Sequence, residues 1–223
     1  MKRLLFVFAL TLTVFTLSSQ TSKEAEVLLK EVIDFYDKGG VEMEVGVDWG
    51  NDGSGFISTL KMDKECFCFS FFENAIWFDG KTQWYYRSID EHDGTGELYI
   101  SEPTEDELET INPFCMMKNW KKNYTAAITK NLDRPKGTPN AAYHVNPPAY
   151  GIILTNRNPK AEVISARILL DKDKHVCNIF PTLQNGMQVR VEIYGAKNGL
   201  QLDKKTFKCD LKIDSDTEVI DMR

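Results

Sequence analysis

The side chains of this 223-residue chain best suited to chemistry are three histidines, five cysteines and one acidic cluster. His92 and His144 read as loop residues and His175 starts a strand; none has a second His or Cys at the spacing a tetrahedral metal site uses. Glu102, Glu105, Asp106, Glu107 and Glu109 crowd one short segment, where such a run reads as a solvated helix face. An acid and base pair would need one carboxylate in an apolar setting, and none is identifiable. There is no G-x-S-x-G elbow, no phosphate-cradling glycine loop and no zinc motif. The expectation is a protein with no catalytic residues, no metal and no cofactor.

Cys66, Cys68, Cys115, Cys177 and Cys209 are odd in number, so they cannot all pair within one chain. Cys66 and Cys68 are two apart in a strand-like run, which puts them on one face in a geometry that disfavours a mutual bridge. Most of the five read as small buried hydrophobes, with room for one bridge.

The first residues set the compartment. Lys2 and Arg3 precede an apolar run from Leu4 to Leu17, followed by Ser18, Ser19 and Gln20, the pattern of a secretion signal. The run is shorter than the roughly 20 residues a membrane-spanning helix needs. Residues 1–20 are therefore expected to be cleaved, releasing an unanchored protein that is a single domain from residue 21 to 223. Loss of Lys2 and Arg3 shifts the net charge from −6 to 25 − 33 = −8. An acidic protein of this kind is a poor ligand for nucleic acid, whose phosphates demand clustered Lys and Arg.

What the chain has in excess is ring surface. In FFENAIWFDGKTQWYYRS, residues 71–88, seven of eighteen side chains are aromatic, against 11% overall. Asp79-Gly80 is a strong hairpin signal, so the stretch reads as two strands with both faces covered. Alternation separates Trp84 and Tyr86 from Tyr85, and Trp84 and Tyr86 are expected to look inward.

The surrounding elements follow from periodicity. Thr21 to Lys38 reads as a helix, opened by the capping-box pair Thr21 and Glu24 and stopped by Gly39-Gly40. In VEMEVGVDW the period switches to two, and Phe56 to Met62 returns as an antiparallel strand. Thr104 and Glu107 repeat the capping-box spacing ahead of a helix that Pro113 breaks, and Leu108, Ile111, Phe114 and Met117 form its narrow apolar edge. Asn131 to Ala149, with four prolines, reads as a long loop. YGIILT, VISARILLD, HVCNIF, MQVRVEIYG and TFKCDLKI read as further strands. The class is mainly β with helices (α+β), with about ten or eleven strands by this count of alternating runs. Either the apolar side chains fill a sandwich core, or the sheet curls round a cavity that the helices cover.

Three segments bear on that choice. WFDGKTQWYY, EPTEDELETINPF and the C-terminal DTEVIDMR resemble, in order and spacing, the DGKT-W-Y hairpin, the helix ending in INP and the EVIDLR terminus of LolA-type lipoprotein carriers. The resemblance implies an incomplete, half-open antiparallel β-barrel round an apolar cavity, with lid helices at about 22–38 and 104–121. It implies a periplasmic carrier that ferries lipoprotein acyl chains toward the outer membrane. It also implies an inner-membrane release complex, an outer-membrane acceptor, and a monomer without cofactor. Well-studied members hold the lid with an arginine on an early strand, whereas residues 41–62 contain none. On this basis Val45, Val47, Leu60, Phe69, Trp77, Trp84 and Tyr86 are expected to line the cavity, and Leu108, Ile111, Phe114 and Met117 to form the lid contacts. The alternative is an envelope sensor or adaptor that binds a lipid or protein ligand without transport.

Overall fold

The structure, a computed structural model, describes residues 21–48, 55–89, 95–134, 146–211 and 217–223. Residues 1–20, expected to be a signal, and Trp49, His92, His144 and most of the proline-rich loop lie outside the described residues.

Among the described residues the alternating runs become one sheet of twelve strands. In chain order these are β1 (Gly40–Asp48), β2 (Gly55–Asp63), β3 (Cys66–Phe71), β4 (Asn74–Phe78), β5 (Gln83–Ser88), β6 (Gly96–Ser101), β7 (Tyr124–Ile128), β8 (Tyr150–Asn156), β9 (Val163–Leu170), β10 (Val176–Leu183), β11 (Arg190–Leu200) and β12 (Thr217–Asp221). Their spatial order is β12-β6-β5-β4-β3-β2-β1-β11-β10-β9-β8-β7, and because β12 and β7 form its two edges the sheet is not closed into a barrel. All neighbours are antiparallel except β12, which runs parallel to β6.

Register decides which side chains share a face. Val41, Met43 and Val47 of β1 lie opposite Met62, Leu60 and Phe56 of β2, and Val45 and Val47 lie opposite Ile193 and Val191 of β11. The same face continues through Met62 and Phe67, Phe67 and Phe78, Phe69 and Ile76, and Ile76 and Tyr85. This inner face carries the core, in which each fully buried aliphatic or aromatic side chain contributes about 1.5–3 kcal/mol.

The opposite face carries Lys61, Cys68, Trp77, Trp84 and Ile100, which are successive cross-strand partners, and also Ala75, Tyr86 and Leu98. Trp77, Trp84 and Tyr86 therefore point away from the inner face, contrary to expectation, and Tyr85 is the ring of β5 that packs on the core. The hairpin itself forms as expected. Asp79 Oδ1 accepts from the backbone N–H groups of Lys81 and Thr82 at 3.1 and 2.9 Å, and Gly80 takes φ +95°. The other end of the aromatic stretch differs: a turn at Phe72-Glu73 splits it, and Phe72 is 79% exposed.

Among the described residues three α-helices accompany the sheet. In α1 (Lys23–Tyr36) the cap is Ser22, whose side chain accepts from Ala25 N at 3.1 Å, while the expected cap Thr21 instead accepts from Ala126 N of β7. Ala25, Leu28, Leu29, Val32 and Tyr36 are buried, so α1 is built into the core. The segment after Thr104 splits at Pro113 into α2 (Glu105–Ile111) and α3 (Phe114–Asn123). In α3, Phe114, Met116, Met117 and Trp120 are buried, and the Phe114 and Tyr36 rings meet edge to face at 5.2 Å.

TFKCDLKI does not form the expected strand. Asp203 caps a short 3-10 turn at Lys204–Phe207; Phe207 is buried, while Leu211 is 39% exposed. The twelve strands instead include GELYIS, YTAAI and TEVID, whose short or polar runs carry little alternation.

Candidate functional site: a cavity and a cleft beneath a short helix

Among the described residues no group of three or more His, Cys, Asp or Glu side chains could hold a metal ion. The five thiols are free. Burial pushes Cys68 up to about 11 and Cys115 up to about 12, so both are protonated at neutral pH and poor nucleophiles. His175 rests against the Phe35 ring at 4.4 Å, a packing role.

The sheet's inner face meets the α2–α3 junction around an apolar cavity of about 40 Å³. Val45, Val47, Phe56, Leu60, Phe69, Val189 and Val191 line it, and Thr110, Ile111, Asn112, Pro113 and Phe114 roof it. Six of the expected residues thus converge here: Val45, Val47, Leu60 and Phe69 from the sheet, Ile111 and Phe114 from the helices. Phe56, Val189 and Val191 join them. Alternation around Phe56 and within MQVRVEIYG is the signal that could have found them.

A larger cleft of about 240 Å³ adjoins on the other side of the junction. Met62, Phe78, Leu108 and Phe114 give it an apolar wall, and Lys64, Glu65, Glu105 and Lys118 give it charged sides. Asn112 and Phe114 line both spaces, so these two side chains form the partition between them. Leu108 belongs to this cleft. Met117 lines neither space and packs in the core, so it is not a contact of the expected kind.

The junction is built from the capping chemistry legible in EPTEDELETINPF. Thr104 caps α2 and Glu107 returns to the Thr104 N–H at 2.7 Å, a complete capping box. At the other end Asn112, only 3% exposed, accepts from Phe114 N through Oδ1 at 3.1 Å and donates from Nδ2 to the Met62 sulfur at 3.3 Å. Pro113 follows as the N-cap residue of α3, a position whose N–H has no partner within that helix to lose.

α2 is thinly attached. Its one fully buried side chain is Glu109, whose carboxylate accepts from Tyr124 Oη at 2.5 Å and from Asn123 Nδ2 at 3.2 Å. Burial pushes the Glu109 carboxyl above its ordinary range, and the hydrogen bonds from Tyr124 and Asn123 partly oppose this. Leu108 and Ile111 are half-buried, and the Lys122–Glu105 pair is exposed, where ion pairs contribute little.

An open sheet with two helices embedded on its inner face, and a third short helix roofing an apolar cavity, defines a cavity-bearing α+β protein. The chain belongs to the family described as outer membrane lipoprotein carrier protein LolA, whose model matches residues 14–146, more than half of the 223 residues. No curated protein sequence matches it. Among solved structures it is similar to Pseudomonas aeruginosa MucB in complex with MucA, at 12% identity over 83% of this chain and 61% of that one, with a TM-score of 0.43. It is similar to a LolA superfamily protein from Nitrosomonas europaea at 11% identity, covering 83% of this chain and 98% of that one, with a TM-score of 0.40. The lipoprotein LppX of Mycobacterium tuberculosis matches at 11% identity over 80% and 99% of the two chains, with a TM-score of 0.38. This chain spans between 59% and 66% of the length of the MucB chains it matches.

Proposed function

We propose that the protein is a periplasmic carrier. It holds the acyl chains of lipoproteins against the inner face of its sheet and ferries them toward the outer membrane. The observation that carries this reading is the apolar cavity roofed by the thinly anchored α2, lined within family-matched residues 14–146 except for Val189 and Val191 of the C-terminal half.

One water-sized group needs at least about 10–15 Å³, so a 40 Å³ cavity takes only a few such groups. In this reading the structure corresponds to a closed form, and cargo enters when α2 lifts and the cavity joins the cleft. Each methylene then removed from water contributes about 0.8 kcal/mol, so even part of one chain gives ample affinity. Release is the harder step. A cover held by Glu109, Leu108 and Ile111 opens at modest cost and lets a tighter acceptor take the chain.

In this reading residues 1–20 are removed on export and residues 21–223 act as one domain, as a monomer. An inner-membrane release complex loads it and an outer-membrane acceptor unloads it. The test is transfer of a labelled lipoprotein from an inner-membrane extract to acceptor membranes. Transfer that depends on this protein supports a carrier; binding without transfer would assign it to the sensor or adaptor class instead.

A further inference from the structure

The buried amide of Asn112 has a mismatched partner. Oδ1 serves the backbone by accepting from Phe114 N, but Nδ2 donates only to the Met62 thioether, a weak acceptor. A donor this deeply buried is normally matched to an oxygen, because an underused donor in a dry site costs stability. Asn112 also stands in the partition between the apolar cavity and the charged-sided cleft.

We infer that Asn112 is a specificity residue that donates from Nδ2 to the carbonyl oxygen of a bound acyl ester or amide. This rests on the carrier reading and deepens it by naming the side chain that recognises the acyl carbonyl, a feature that ether-linked or bare hydrocarbon lacks. The order of parts along such a ligand matches the order of spaces in the protein. The hydrocarbon tail occupies the cavity among Val45, Leu60 and Phe69. The carbonyl falls at the partition, beside Asn112. The polar head lies in the cleft, which Lys64, Glu65, Glu105 and Lys118 line. Met62, which also lines the cleft, is the placeholder that the carbonyl displaces. Phe114 must swing aside for the tail to pass, and its ring is the movable half of the partition.

The test uses a matched pair of glycerolipids, 1-palmitoylglycerol and 1-O-hexadecylglycerol, alike in head and chain length, of which only the first has a carbonyl. Each competes with an apolar fluorescent probe for the purified full chain. One net hydrogen bond predicts that the ester binds roughly 2- to 10-fold more tightly than the ether. Asn112→Asp at pH 8 keeps an oxygen for Phe114 N but has no amide proton to donate, and should abolish the preference. Met62→Leu should retain or enlarge it. Infrared spectra with a 13C-labelled ester carbonyl add a readout that packing alone does not move: a lowered stretching frequency in the native protein, absent in Asn112→Asp. Equal affinities of ester and ether in the native protein would overturn the role of Asn112 and leave the carrier reading standing. Failure of both lipids to displace the probe would overturn both.

Discussion

Removing the Phe114 ring tests whether the cavity and the cleft are two halves of one binding space. Phe114 is 2% exposed, packs on Tyr36, and borders a 240 Å³ cleft on one side and a 40 Å³ cavity on the other. Phe→Ala in a well-packed core costs about 3–5 kcal/mol. The ring is 2% exposed and packed in the core, so the full range of about 3–5 kcal/mol applies. At about 2–4 °C per kcal/mol for a domain of this size, the melting temperature should fall by about 6–20 °C. The substitution also removes the partition, so an apolar fluorescent probe should bind Phe114→Ala more tightly than the native protein at 25 °C. Thermal melting and probe titration on the same samples separate the two effects. A lower melting temperature with unchanged or weaker probe binding would refute the joined-space reasoning.

Three further outcomes follow from the same geometry. Ile111→Glu places a charge in the cavity roof from a half-buried position, and should weaken probe binding at least about tenfold with little change in circular dichroism; unchanged affinity would remove α2 from the site. Thr104→Ala breaks the capping box at a cost of about 1 kcal/mol, and should speed hydrogen exchange of the α2 amides about fivefold while leaving β9 to β11 unaffected. Because the folded-state Glu109 carboxyl is raised, the stability it contributes is full below the ordinary carboxylate range near 4.3 and is lost as pH rises through the raised value. Glu109→Gln should therefore gain melting temperature relative to the native protein between pH 5 and pH 8, and parallel curves would contradict that placement of Glu109.

The parts of the fold that were legible in the sequence are those where one physical signal dominates. The alternation of Val41, Met43, Val45 and Val47 fixed the inner face of β1, and the caps at Thr104 and Pro113 marked the α2–α3 break. The orientation of β5 was not legible, because QWYYRS has rings on both faces. Parity against β4 decides it: Ile76 lies opposite Tyr85, and Trp77 opposite Trp84. Met117 fell on the right helical stripe, but the break at Pro113 rotates α3 independently of α2, so the stripe does not continue into the cavity. The capping-box spacing of Thr21 and Glu24 competed with Ser22, which is one residue closer to the first helical turn and wins the cap. β12 could not be read as a strand, since TEVID is held by its register with β6 and its side chains are largely exposed.

Glu109 has a structural role that the sequence hid. Its buried carboxylate ties α2 to Asn123, the last residue of α3, and to Tyr124, the first of β7. In the sequence it was visible only as one more acidic residue in a run of them.

Acyl-chain carriage is tested most directly by purifying the protein from its native envelope under non-denaturing conditions and measuring its intact mass and bound lipid by native mass spectrometry. Carriage predicts a reproducible adduct that releases ester- or amide-linked acyl chains, or an acylated lipoprotein, and that is lost in Ile111→Glu. Protein of bare polypeptide mass in every preparation, with no lipid or lipoprotein attached, would contradict it.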